Sequence, residues 1–370
     1  MSKEEITEKK KYAGEKELSM KRRDDNHDYT ERRMYMITLE VEGRLPLFGR
    51  LVGDAFAPAG SADEPRIELT PLGAAVQSEW LGIHSYYPQI DVMAVQMMPD
   101  HMHGILFVKA RLPLHLGQVI SGFKAGYRKA ERALAERAVR EAAAKPLPTE
   151  KAAGTVAAQT TAGVRVSPQA AALPPQVSPR PYRPLFAKGY NDLILRSYGE
   201  LPTWQNYLRD NPRRLLMRRA RPEWLRPFFG LRIGPYTFSG IGNRALLAAS
   251  KRRAVRVSRR LTTQEVEGEL RRYLEEARQG TVLVSPAISP GEKRVMRAAF
   301  DAGFPTIVIM ENGFTPMSKP HGEQFYACAK GHLLMLSSGE HHNEKKKITA
   351  EQCRQMNLMA LEICDKTLLS

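Results

Sequence analysis

Met98-Pro99-Asp100-His101-Met102-His103-Gly104-Ile105-Leu106-Phe107-Val108 is the stretch that organises this chain. A Pro-Asp turn separates one apolar run, residues 90–97, from a second, residues 101–109, so the segment predicts two strands joined tightly. Side chains two apart on a strand share a face, so His101 and His103 point the same way while Met102 points to the core. Two imidazoles on one rigid strand are a ready pair of cation ligands. They leave coordination positions open, which suits catalysis better than a closed structural site, and with oxygen ligands they could hold Mg²⁺ or Mn²⁺. Composition alone produces an HxH in about one chain in five at this histidine content, so the bland alternative is two surface histidines at a strand end. The apolar strands on both sides are what raise the pair above that alternative.

Outward from this hairpin, residues 34–41 have the β-branched and aromatic character of a strand, with residues 45–52 as a possible hairpin partner. Residues 70–83 follow a helical pattern through Leu72, Ala75, Val76 and Trp80, with Pro71 in the first turn. Residues 114–142 form a long amphipathic helix, basic at Lys124, Arg128 and Lys129. Composition then collapses to Ala, Pro, Thr, Val and Ser over residues 143–181, a low-complexity insertion. Order resumes at Leu185-Phe186. Pro202 opens a short helix, residues 204–211, that should end or kink at Pro212. In the last third, short apolar runs at 253–258, 281–285, 306–310 and 332–336 alternate with helical patterns at 263–278, 291–302 and 350–364. That alternation predicts a parallel sheet with covering helices. The chain therefore reads as a polar arm (1–32), an α+β sheet domain (33–235, with the insertion at 143–181), and a small Rossmann-like α/β domain (236–370).

Charge is concentrated. The formal net charge is +16, and residues 180–260 hold 19 Lys and Arg against 4 Asp and Glu, a net of +15. Forked guanidinium donors interleaved with Trp204, Tyr207, Trp224, Phe228 and Phe229 suit a polyanion with stackable bases, that is, nucleic acid. Cys328, Cys353 and Cys364 fit neither a zinc site nor a disulfide framework, and point to a cytoplasmic location. No apolar run is long enough for a membrane span, and the charged N-terminus has no signal-peptide core.

Two histidines need a third ligand and a reacting group. In Tyr207-Leu208-Arg209-Asp210-Asn211-Pro212, Tyr207 and Asn211 are neighbours at i and i+4 on one helix face. If that face covers the histidines, the Asn211 amide oxygen can complete a metal site and the Tyr207 phenol can attack a phosphate. The plainer reading of Tyr207 is a half-buried aromatic. Tyr127 is a competing nucleophile on the long helix, though Glu131, not an amide, follows it at i+4.

Tyr35-Met36-Ile37-Thr38, Met98-Pro99-Asp100-His101-Met102-His103, Phe123-Lys124-Ala125-Gly126-Tyr127, Tyr190-Asn191-Asp192 and Tyr207-Leu208-Arg209-Asp210-Asn211-Pro212 occur in the order found in the HUH single-tyrosine transposases. Over roughly residues 33–225 the chain resembles their REP-associated branch. The resemblance implies a ferredoxin-like antiparallel sheet, a homodimer, single-stranded DNA with a nearby hairpin as substrate, and a divalent metal. It implies His101, His103 and Asn211 as ligands and Tyr207 as the nucleophile that forms a 5′-phosphotyrosine. On the basic surface Arg209, Arg213, Arg214, Arg218, Arg219, Lys124 and Arg128 are the candidate DNA contacts.

The last third loosely resembles the Rossmann-like fold of DNA-processing (Smf-type) and nucleotide-binding proteins, through Ser285, Gly291, Lys293, Glu311 and Gly313. There Ser289-Pro290-Gly291-Glu292 reads either as a phosphate site at a helix N-terminus or as a capping box with Pro at the first helical position. His341-His342 reads as a solvated loop. The leading expectation is thus a metal-dependent transesterase that cuts and rejoins single-stranded DNA. The alternatives are a DNA-binding regulator without catalysis, or nucleotide or single-stranded DNA binding in the last domain.

Overall fold

Alternation builds the first sheet. In a computed structural model that describes residues 26–143, 184–344 and 346–365, β1 (Arg33–Glu40) runs between β5 (His101–Val108) and β6 (Asn191–Leu195), and β4 (Ile90–Met97) closes the other edge. All neighbours are antiparallel, in the order β4-β5-β1-β6. Tyr35, Ile37 and Leu39 face one side, with Leu106 and Met102 across from Tyr35 and Leu39. There they meet Trp80 of α1 (Pro71–Leu81) and Phe123 of α3 (Leu116–Ala143), whose rings touch edge-to-face at 5.1 Å. A short helix, α2 (Ile83–Tyr86), joins α1 to β4. Gly104 lies under the Trp80 indole: a Cβ there would sit 2.3 Å from the ring, so no larger residue fits between the histidine strand and α1.

The opposite face carries Met34, Met36 and Thr38 on β1 and Phe107, Ile105, His103 and His101 on β5. It is covered by α4 (Leu201–Ala220), whose Leu201 and Trp204 pack with Met34, Met36, Met93, Phe107 and Leu195. Gln205 Nε2 donates to the Met93 carbonyl at 2.9 Å. α4 continues through Pro212, where a stop or kink was expected. Leu208, Asn211, Pro212 and Met217 form a buried stripe along it. Packing of that stripe, with Arg213 bonded to the Ala55 and Ala57 carbonyls, offsets the ~3 kcal/mol that an interior proline costs.

Residues 45–52 do not pair with β1. Both edges of β1 are taken by β5 and β6, and β2 (Gly49–Val52) instead forms a separate hairpin with β3 (Arg66–Leu69). The expected polar arm is also shorter than 1–32 among its described residues: Tyr29 is buried, stacks on Tyr35 and donates to Asp192 Oδ2 at 2.8 Å. Residues 1–25 of that arm and 144–181 of the insertion lie outside the described residues.

The second unit begins at Arg214. Its six-stranded sheet runs β7-β8-β12-β11-β10-β9. β9 (Arg252–Ala254), β10 (Val282–Ser285), β11 (Thr306–Ile309) and β12 (Leu333–Ser337) are parallel, as the strand–helix alternation predicted. β7 (Phe228–Ile233) and β8 (Tyr236–Gly242), which the sequence reading missed, add an antiparallel edge. Because β7 belongs to this sheet, the boundary falls before residue 228 and not at 235/236. α5 (Thr263–Arg278) and α6 (Pro290–Asp301) bury Tyr273, Val295 and Met296 against the side carrying Leu283. α8 (Ala350–Cys364) buries Met356, Met359 and Ile363 against Val282, Val284 and Ile307. α7 (Gly322–Ala329) joins β11 to β12. The architecture is mixed α+β, and among the described residues no helix is long and apolar enough to cross a membrane.

Candidate functional site

The strand register determines what surrounds the histidines. His101 lies opposite Glu40 and His103 opposite Thr38 on β1, while Gln96 on β4 flanks His103 from the other side and Asn191 on β6 lies beyond Thr38. These side chains form a polar band on a face that is otherwise apolar, next to Met36, Ile105 and Leu193. The two imidazoles are adjacent, with ring centroids 4.9 Å apart and planes nearly perpendicular.

Each ring is held by its Nδ1. His101 Nδ1 lies 2.6 Å from Asp100 Oδ1, and His103 Nδ1 lies 2.8 Å from Thr38 Oγ1. Among the described residues the hydrogen bonds of both rings end there, which leaves each Nε2 for another partner. Burial, then the charges of His101 and Arg44, hold the His103 pKa down to about 3, so that ring is neutral at ordinary pH, as a ligand must be. Arg44 closes the site from the loop after β1. Its guanidinium meets Glu40 Oε1 at 2.6 Å and Asp100 Oδ2 at 3.5 Å, and its backbone is left-handed at φ 55°.

The histidines are thus joined directly. Tyr207 and Asn211 stand on α4, the helix that covers their face, and no described contact runs from either to an imidazole. Asn211 is 9 % exposed and Tyr207 39 % exposed, with its ring 5.6 Å from that of Trp204. No group of three or more His, Cys, Asp and Glu side chains able to hold a metal is gathered among the described residues. Tyr127, the competing nucleophile, is a core residue: it is 3 % exposed and its hydroxyl accepts from the Leu185 amide at 3.1 Å.

The basic residues divide into two sets. Lys124 Nζ donates to the Ala187 and Gly189 carbonyls at 2.9 and 2.6 Å. Arg213 donates to Ala55 and Ala57 and pairs with Asp210 and Glu64. Arg214 lies over the Phe325 ring at 4.0 Å, and Arg218 approaches the same ring at 5.6 Å. Lys124, Arg213 and Arg214 therefore hold protein together. Arg128, Arg209, Arg218 and Arg219 are exposed, whatever their protein contacts, and Arg209 bonds Asn206 one turn before it. A cavity of about 1050 Å³ opens between the start of α3 and residues 184–190, lined by Lys124, His115, Lys188 and Tyr190. None of the candidate catalytic residues lines it.

In the second unit the helix N-terminus after β10 is filled by the chain itself. Glu292 Oε2 accepts from the Ile288 and Ser289 amides, each at 3.0 Å, and Ser289 Oγ accepts from the Glu292 amide at 3.1 Å. That is the capping-box reading. The loop is largely exposed, as expected of a solvated one, His341 included, while His342 is partly buried and tied down. His342 Nε2 meets Glu311 Oε1 at 2.9 Å, and Asn312 bonds the His342 backbone at both its N–H and its carbonyl.

Sequence reasoning missed Thr38, Asp100 and Arg44. Thr38 could have been found as the polar residue that breaks the Met34, Met36 alternation. Asp100 had been assigned only to the turn.

No known family's profile matches the chain, and no solved structure matches it. A protein of Haemophilus influenzae described as "Uncharacterized protein" is 26% identical over 121 residues, covering 27% of this chain and 61% of that protein. The chain thus spans about three fifths of that relative's length.

Proposed function

We propose that the chain is a metal-dependent DNA strand transesterase of the HUH single-tyrosine type, similar to REP-associated tyrosine transposases. The observation that carries this reading is the paired imidazoles, 4.9 Å apart on one strand face and, among the described residues, each anchored through Nδ1 alone. Residues of this kind fit a divalent cation, Mg²⁺ or Mn²⁺, held by His101 and His103 with Asn211 as the amide ligand. When bound, such a cation polarises the scissile phosphate and offsets developing charge. Tyr207 supplies the nucleophile: its phenolate oxygen forms a bond to phosphorus, the 3′ oxygen of the preceding nucleotide leaves, and the 5′-phosphotyrosine conserves the bond for rejoining. The exposed Arg128, Arg209, Arg218 and Arg219 grip phosphates.

The fold supports the same reading. The succession β1, α1, β4, β5, α3, β6 with order β4-β5-β1-β6 is what a ferredoxin-like domain requires. We read the second unit, with its four parallel strands, as Rossmann-like, and the active form as a homodimer acting on single-stranded DNA beside a hairpin. The test is a denaturing gel of protein with end-labelled single-stranded DNA and Mn²⁺. A covalent adduct that disappears in Tyr207→Phe is expected. DNA binding without any adduct would instead support a regulator without catalysis.

A further inference from the structure

We infer that Asp100 and Thr38 are positioning residues that fix both histidines with the proton on Nδ1, so that both bare Nε2 atoms serve one cation, and that Arg44 holds Asp100 to this task. The inference rests on the metal-site reading above.

A carboxylate only accepts hydrogen bonds, so at 2.6 Å from Asp100 the His101 Nδ1 must donate, and Nε2 of the neutral ring carries the lone pair. On the neighbouring strand Thr38 Oγ1 lies 2.8 Å from His103 Nδ1; a hydroxyl can donate or accept, and in the tautomer inferred here it accepts. The two partners arrive differently. Thr38 is brought by the β1–β5 register, which sets it opposite His103. Asp100 is brought by the turn: its carbonyl accepts from the Val41 amide at 2.9 Å, and its second carboxylate oxygen faces Arg44 at 3.5 Å. Arg44 is aimed by a left-handed backbone that non-glycine residues seldom adopt, fixed by its amide donating to the Val41 carbonyl at 2.9 Å. Left-handed backbone at a non-glycine residue clusters at functional sites, and this one ends on the carboxylate behind a histidine. Such outer partners orient the ring and raise its basicity as a ligand; losing one typically lowers metal affinity about 10–100-fold.

The test has two parts. In metal-free protein, ¹⁵N spectra of the histidine rings, assigned with His101→Gln and His103→Gln, are expected to show protonated Nδ1 and bare Nε2 on both. Mn²⁺ titration is expected to give an affinity loss of about 10–100-fold for Thr38→Val and Asp100→Ala, a smaller loss for Asp100→Asn and Arg44→Gln, and recovery in Thr38→Ser. Thr38→Val keeps the shape of the side chain, so it separates the hydrogen bond from folding, and the ring spectra need no variant of Asp100 at all. A proton on Nε2 of either ring, or unchanged Mn²⁺ affinity in Thr38→Val and Asp100→Ala, overturns the positioning roles while leaving the metal site standing. Wild-type protein that binds no Mn²⁺ overturns the metal-site reading itself, and the positioning roles with it.

Discussion

The chain holds two histidine pairs, one in each unit, and they are built in opposite ways. His101 and His103 sit two apart on a strand, and among the described residues each is bonded through Nδ1 and not Nε2. His341 and His342 are consecutive in a loop, and all four ring nitrogens are engaged: with Gly313, Asn343, Glu344 and Glu311. A ring bonded at both nitrogens is structural mortar. A ring bonded at one, on a strand face that carries a polar band, is equipped for something outside the chain. Spacing alone does not separate the two pairs; the accounting of ring nitrogens does.

That contrast can be broken most sharply at the covalent step. Tyr207→Phe is expected to lower adduct formation ~10³-fold or more while DNA affinity in a filter assay stays within about twofold. If Tyr127→Phe has that effect instead, the nucleophile is a residue now seen in the core. Next in size, alanine at His101 or His103 should remove measurable Mn²⁺ binding. Alanine at His341 or His342 should leave Mn²⁺ affinity unchanged and lower stability by roughly 0.5–1.5 kcal/mol, the net worth of a lost hydrogen bond. Loss of Mn²⁺ binding on changing the loop pair would collapse the distinction.

Acid offers a finer probe. His103 binds its proton far more weakly folded than unfolded, its pKa held to about 3 chiefly by burial. Its contribution is therefore neutral above about pH 6.5 and erodes stability as pH falls from there toward 3, by ~1.4 kcal/mol per pH unit. Urea midpoints of metal-free protein at pH 7 and pH 5 should differ accordingly, and His103→Gln should flatten that limb. Equal slopes in the two proteins would show that His103 is not the group responsible. The smallest effects concern the arginines. Arg213→Ala should cost about 1–3 kcal/mol in thermal unfolding. Arg209→Ala should leave unfolding within ~0.5 kcal/mol and reduce the salt slope of DNA binding by about 0.7.

How legible was this from sequence? The strands at 90–97 and 101–108, the helices at 71–81 and 263–278, and the capping box at Ser289 were all readable, because local alternation and local caps fix them. What failed depended on partners far along the chain. β2 was matched to the wrong strand because its partner, β3, begins 17 residues after Gly49. Pro212 was read as a stop because the buried stripe that carries α4 past it is a tertiary fact. The protein partners of Lys124 and Arg213 were not legible because a carbonyl 63 or 158 residues away leaves no mark beside them. The His pair was found, but only register could add Thr38, and only the turn's geometry could put Asp100 behind His101.

The contact between Gly104 and Trp80 bears on how sequences of this type can change. The indole occupies the volume that a side chain at 104 would need, and the residue just before it on the strand is His103. Substitution at either position is therefore conditional on the other. Gly104→Ala alone forces β5 or the indole to move, with an overpacking cost of typically 1–3 kcal/mol. A smaller residue at 80 should restore tolerance at 104. The two positions form an epistatic lock on the backbone of the histidine strand: drift is open to them only as a pair, and the back of the sheet limits which sequences can keep the histidine pair on its front.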